Sequence, residues 1–373
     1  MAVERDQVED VYPLSPLQEG ILYHCERNPE SPAYWNQLSF RIAGPLDVAR
    51  LRSAWQAVLD RHPALRTSFA RDRRGAPRQV VRKSVPVTFE AINAPTADEK
   101  TGDQWLAGWL AEDLLRRPSL RSAPLFRITL IRYAANHHRM VWTVHHIVQD
   151  GWSSATLLQE VFRLYGSAEQ SNTLPAAVPY RRYIEHLAAR LAKGDRERFW
   201  SDYLGDLPTA GSVAGQGDTG SQAAASVGRT LNGSPLQAAA RRWGITQSTL
   251  AQGAWALTLA AETGSSDVLF GVTVADRDPD LAQSDAIVGL MLATLPVRVR
   301  TGEQQGLQDW LRAQQRSFSR QRDNLAPLAD IQRWSGRRGG ELFESLLVFE
   351  NYPLPENVAA GTGLTVDDFS GFE

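Results

Sequence analysis

Apolar residues recur at helical spacing through 46–59 (LDVARLRSAWQAVL), with Leu51, Trp55 and Val58 on one face. His62-Pro63 ends that helix, because a residue before proline is pushed out of the helical region. Ser15-Pro16-Leu17-Gln18 opens an earlier one: serine caps, proline fits the first turn, and glutamine can reach back. Further helices are predicted around 103–115, 151–166, 180–204, 235–243, 246–263, 305–322 and 327–334. Strand patterns fall at 38–42, 125–134, 139–147, 267–274, 294–300 and 343–350. Arg71 to Gly75 and Ala135 to His138 read as solvated hairpin tips. Residues 167–179 are polar and proline-bearing, a linker between two α/β lobes of similar build, 1–170 and 171–373.

Composition narrows the picture. The 373 residues are 43% hydrophobic and 22% charged, as in an ordinary globular protein. A net charge of -2 gives no case for nucleic acid or an anionic membrane as partner. One cysteine, Cys25, excludes an internal disulfide and a cysteine-rich metal site, and fits a reducing cytoplasm. The start, MAVERDQVEDVYPL, lacks the apolar core of a signal peptide, and no run is apolar enough to span a membrane.

Some motifs fail on context. GQGDTG at 215–220 matches GxGxxG but sits in a Gly/Ala/Ser-rich stretch, 208–228, instead of between a strand and a helix. HExxH, GxxxxGK[ST] and GxSxG are absent.

Residues 140–151, MVWTVHHIVQDG, carry the candidate chemistry. In a strand, Trp142, Val144 and His146 share one face, and Val141, Thr143 and His145 the other. One histidine therefore packs while the other faces the chemistry. Asp150 caps the helix that follows, Gly151 permits close backbone approach, and a free amide at that helix start is a suitable oxyanion donor.

HHIVQDGWS (145–153) resembles the active-site motif, HHxxxDG, of the condensation domains of nonribosomal peptide synthetases, within the chloramphenicol-acetyltransferase-like superfamily. YPLSPLQEGILYH (12–24), RHPALRTSF (61–69), GVTVADRDPDL (271–281), IVGLMLATLPVRV (287–299), PLADIQRWSG (327–336) and LFESLLVFENYP (342–353) resemble the family's other motifs, in order. The resemblance spans essentially the whole chain. It implies an α/β fold of two chloramphenicol-acetyltransferase-like lobes in a V-shaped pseudo-dimer, with a tunnel between them. It also implies further strands and a helix beyond GFE, the last three residues.

The implied activity is amide formation between a donor acyl or peptidyl thioester and the amine of an acceptor aminoacyl thioester. The implied partners are upstream donor and downstream acceptor carrier domains bearing phosphopantetheine arms, and an adjacent adenylation domain. No intrinsic cofactor or metal is implied. The setting is cytoplasmic synthesis of an antibiotic, a siderophore or another secondary metabolite.

By the resemblance, His146 meets the amine, either as general base or by orienting it, beside His145. Gly151 N–H supports the oxyanion. Asp150 is structural and pairs with Arg277, from the second lobe. Trp152, Met291, Ala293, Ser15 and Gln18 are expected to line the tunnel.

Three positions depart from the family pattern. Met291, Leu292 and Ala293 replace Phe, Ile and Asn; Leu325 stands where a histidine is common; and ADRD replaces SGRP. Two of these remove polar groups, which keeps a non-catalytic, recruiting relative as the alternative. An epimerisation domain shares HHxxxDG but carries a different later set, and a heterocyclisation domain replaces the first histidine. QEGILYH and LLVFENYP are closest to the subtype whose donor ends in a D-residue. Arg333, Arg337 and Arg338 read as a solvated loop or as a basic surface for an acidic carrier domain or a phosphate arm.

Overall fold

The computed structural model describes residues 5–95, 99–167, 174–207, 226–302, 306–337, 341–350 and 357–372. In chain order these form β1 (Val8–Tyr12), α1 (Pro16–Arg27), β2 (Trp35–Ala43), α2 (Val48–Arg61), β3 (Thr67–Arg71), β4 (Pro77–Arg82), β5 (Phe89–Asn93), α3 (Glu99–Leu114), β6 (Phe126–Ala134), β7 (His137–His145), α4 (Gly151–Gly166) and α5 (Arg181–Leu191). Then come α6 (Arg196–Leu204), α7 (Gly233–Trp243), α8 (Gln247–Thr263), β8 (Asp267–Ala275), β9 (Leu292–Arg300), α9 (Leu307–Asp323), α10 (Leu328–Trp334), β10 (Leu346–Val348) and β11 (Thr365–Phe372).

The chain divides into two compact units. The first comprises 1–189, 277–291 and 351–373; the second, 190–276 and 292–350. These bounds differ from the expected 1–170 and 171–373. Segments distant in sequence return to the first unit, because β11 and the stretch after β8 find their partners there.

The first unit is built on a five-stranded sheet ordered β11-β2-β7-β6-β5, antiparallel except for β5–β6. The alternation along β7 places Met140, Trp142 and Val144 toward α2 and α4, where the Trp142 and Trp55 rings meet at 5.0 Å. Val141 packs on the other face with Leu106 and Leu110 of α3. On that face Asp113 accepts from Arg127, Gln37 and Thr143, tying α3 to three strands. Burial raises its carboxyl and these donors lower it, with a net shift below the usual carboxylate range. A smaller sheet, β1-β4-β3, lies beside it.

In the second unit β10-β8-β9 carries a core of Phe270, Val272, Val297, Ala256 and Trp310. Leu325, the residue in place of the family's histidine, is buried here, and its carbonyl accepts from Arg196 Nε at 2.8 Å.

The helices fall where the apolar spacing put them, within a few residues; 180–204 divides into α5 and α6 around Gly194, whose φ is 84°. The strands diverge more. β1, β5 and β11 lack a clear alternating run and escape a pattern reading. The expected strand 343–350 pairs over Leu346–Val348 alone. The tip expected at Ala135 to His138 is a turn of Ala135 and Asn136 only, because a bulge near Ala134 lets β7 begin at His137. His138 is therefore 2% exposed and not solvated, and His137 stacks on Tyr133 at 5.3 Å. The strand expected to reach Ile147 stops at His145, where a 3-10 turn, His146–Val148, begins. GQGDTG and Arg338 lie outside the described residues.

Candidate active site

Ser15 and Gln18 form the expected capping box at the start of α1. Gln18 does more than cap. Its Oε1 accepts from Ser15 N–H at 3.0 Å, while its Nε2 donates to the Ile147 carbonyl at 2.8 Å and reaches Gln79 Oε1 at 3.2 Å. This amide anchors α1 to the turn that carries His146. Ser15 and Gln18 are 2% and 1% exposed. They hold the site from the interior instead of lining a passage.

The two histidines sit in unlike surroundings. His145 is buried on the α3 face of β7. Its Nδ1 accepts from Ile147 N–H at 3.1 Å, so in the neutral ring Nε2 carries the proton and faces Cys25 Sγ at 3.6 Å. Burial, and then the neighbouring His146, pull its pKa down to about 3. Burial, with Glu26 secondary, pushes the Cys25 thiol up to about 11. Neither ion forms at neutral pH, so this pair is packing and not a nucleophile with its base. A cavity of about 360 Å³ opens on this side, between Leu22, Cys25, Trp35, Phe69, Leu120 and the His145 ring. His146 is not among its walls.

His146 is half-buried. Its Nδ1 lies 2.7 Å from the Gln149 carbonyl. A carbonyl only accepts, so Nδ1 holds the proton and the neutral ring keeps its lone pair on Nε2. Nε2 has no partner among the described residues. This is the state a proton acceptor needs.

Asp150 ends the turn and caps α4, accepting from Ser153 N–H at 2.8 Å. Its carboxylate also takes Ser153 Oγ–H at 2.7 Å, Arg277 at 3.0 Å and Met291 N–H at 3.0 Å. The Asp150–Arg277 pair has side-chain exposures of 0% and 5%. Arg277 was expected from a second lobe; it belongs to the same compact unit as Asp150. The rest of the 277–291 segment is fastened there too. Gly289 N–H donates to Ser153 Oγ at 3.0 Å, and the Tyr180 hydroxyl to the Leu290 carbonyl at 2.7 Å. A Cβ on Gly289 would stand 2.0 Å from the Tyr180 ring, so glycine is required there.

Gly151 is the first residue of α4 and not among the glycines with positive φ, so its backbone does not draw on glycine's conformational freedom. Its N–H is one of the helix-start amides left without an intrahelical acceptor. Trp152 is half-buried, with Arg277 over its ring at 5.8 Å. Met291 is fully buried, not a surface of open space. Ala293, in β9, belongs to the other unit and pairs with Val274.

Sequence reasoning missed Gln149 and Ser153, whose contributions here are a backbone carbonyl and a cap hydroxyl, which no residue type advertises. Among the described residues, no cluster of three or more His, Cys, Asp or Glu could hold a metal, and no helix is long and apolar enough to cross a membrane.

A half-buried histidine whose Nδ1–H is held by the Gln149 carbonyl thus stands just before a helix start capped by Asp150. Residues 8–371 match the family model described as Condensation domain, and the chain belongs to that family, the amide-forming acyltransferases of nonribosomal peptide synthetases. It is 37% identical to one of the linear gramicidin synthase proteins of Brevibacillus parabrevis, over 98% of this chain and 7% of that protein. It is 34% identical to chondramide synthase cmdD of Chondromyces crocatus, over 98% of this chain and 10% of that protein. The chain thus spans a small part of those relatives' length. The first condensation domain of the calcium-dependent antibiotic synthetase, solved with a substrate analogue, superposes with a TM-score of 0.76 at 20% identity. That match covers 96% of this chain and 85% of the solved one, and it establishes the chloramphenicol-acetyltransferase-like α/β fold.

Proposed function

We propose that this domain joins a donor acyl or peptidyl thioester to the amine of an acceptor aminoacyl thioester, both carried on phosphopantetheine arms of carrier domains. The observation that carries the reading is the hydrogen bond from His146 Nδ1–H to the Gln149 carbonyl, 2.7 Å, which leaves Nε2 as the acceptor. The acceptor amine, with a pKa of roughly 8, attacks as the neutral species. Its lone pair adds to the donor carbonyl carbon. His146 Nε2 takes a proton from the nitrogen, and Gly151 N–H supports the oxyanion. The C–S bond then breaks, and the departing thiolate receives the proton. Holding two tethered reactants together supplies much of the acceleration. Asp150 and Arg277 fix the helix start without touching substrate.

The test is to load donor and acceptor carrier domains and follow amide product by mass. Product from the wild type, lost in His146→Ala, supports the reading. Carrier binding without product would instead favour a recruiting, non-catalytic role. The likeness of QEGILYH and LLVFENYP to D-donor domains supports a donor ending in a D-residue. Equal rates for donors differing only at that stereocentre would remove that part.

A further inference from the structure

The chain enters β2 through an unusual turn. The Pro32 carbonyl accepts from Trp35 N–H at 3.0 Å, so Pro32, Ala33, Tyr34 and Trp35 make a four-residue turn. Tyr34 holds its third position with a φ of 69°. That conformation belongs to glycine or asparagine, and a Cβ-bearing aromatic residue is strained in it. Such strain persists only where the surroundings over-determine it, and it gathers at functional sites.

The strained residue touches the catalytic turn directly. Trp35 pairs with His145 in the β2–β7 ladder, so the next pair would be Tyr34 with His146. Only half of it forms. His146 N–H donates to the Tyr34 carbonyl at 2.7 Å, while the His146 carbonyl accepts from Gln149 N–H at 3.3 Å. The left-handed backbone at Tyr34 turns β2 away after a single bond. The strand β7 therefore ends, and the 3-10 turn brings the His146 ring to the Gln149 carbonyl. The half-buried Tyr34 ring lies between those of His24 and His145, 6.4 Å from each. His145, in turn, accepts the Ile147 amide.

We propose that Tyr34 is a positioning residue for His146. Its ring, packed beside His24 and His145, holds the turn's carbonyl against the His146 amide, and that carbonyl sets where the strand stops and how the catalytic imidazole is presented. The catalytic part rests on the function proposed above; the positioning part does not.

The experiment compares Tyr34→Gly, which removes both strain and ring, with Tyr34→Phe, which keeps both. The readouts are the melting temperature, amide formation between loaded carrier domains, and nitrogen-15 NMR of histidine-labelled domain, with His146→Ala assigning the ring signals. Expected for Tyr34→Gly is a melting temperature at or above wild type, kcat at least tenfold lower, KM for both carriers within threefold, and a shifted or broadened His146 Nδ1–H signal. Expected for Tyr34→Phe is wild-type behaviour in all three. Tyr34→Gly with wild-type kcat and an unchanged ring signal would overturn the proposal. So would a loss of rate matched by the loss of folded protein, with the ring signal of the folded fraction intact. Should the wild type form no amide, the ring signal alone decides the positioning role.

Discussion

Arg277 reaches Asp150 across 127 residues of sequence and meets it at 3.0 Å with both side chains almost wholly buried. The same carboxylate caps α4 and receives the Met291 amide. Removing the guanidinium leaves a buried anion without its counter-charge, a loss on the order of 3–5 kcal/mol. Arg277→Ala is therefore expected to lower the urea midpoint sharply, and Arg277→Ala with Asp150→Asn to recover part of it. Strictly additive losses in the two variants would count against this coupling.

His146 contributes little to packing, being half-buried with one ring hydrogen bond. His146→Ala should cost roughly 10²-fold or more in the rate of amide formation, the range of general acid–base contributions. Its melting temperature should stay near wild type. A large thermal loss would mean that the ring is a packing element.

His145 behaves oppositely. Its unfolded imidazole takes a proton near pH 6.5, whereas the folded one, pulled down by burial, waits until about 3. Between those values the unfolded chain binds the extra proton. The stability this ring contributes is therefore present above pH ~6.5 and is lost as pH falls toward 3, by up to about 1.4 kcal/mol per pH unit. Urea unfolding at a series of pH values should show a shallower acid loss in His145→Gln than in wild type. Parallel curves would remove His145 as the source.

Gly289→Ala drives a methyl group into the Tyr180 ring. It should destabilise more than Tyr180→Phe, which only removes the bond to the Leu290 carbonyl, a matter of about 1 kcal/mol. Thermal melts of the two variants rank them directly.

Gln18→Ala breaks the link between α1 and the Ile147 carbonyl and leaves buried groups unpaired, at about 1–3 kcal/mol. Amide formation should fall along with stability, since the turn bearing His146 loses its anchor. Undiminished rate in the folded fraction would show that the anchor is dispensable.

Much of this molecule was legible from local pattern. α2 announces itself by apolar spacing and α4 by its cap, Asp150, whereas the Asp47 cap that starts α2 one residue inside the expected range was not read. The alternation along β7 correctly separated the faces of Trp142 and Thr143. What it could not carry was the end of that strand. His145 is the last paired residue because Tyr34, more than a hundred positions earlier, adopts a conformation its residue type disfavours. Likewise, Ser15 and Gln18 read as a cap from their spacing, but the Gln18 bond to Ile147 spans 129 residues and leaves no local trace. Met291 and Ala293 are near neighbours in sequence and still belong to different compact units.

The pairing of β11 with β2 sets a timetable. Arg41 and Asp367, joined across these strands, are 326 residues apart in the chain. At about 5–20 residues per second, a ribosome delivers the second some 15–65 s after the first. Throughout that interval the outer edge of β2 offers open N–H and C=O groups to any neighbouring strand. A nascent chain stalled before Thr365 would keep that edge bare, making β11 a guard against sticking to its neighbours on the polysome.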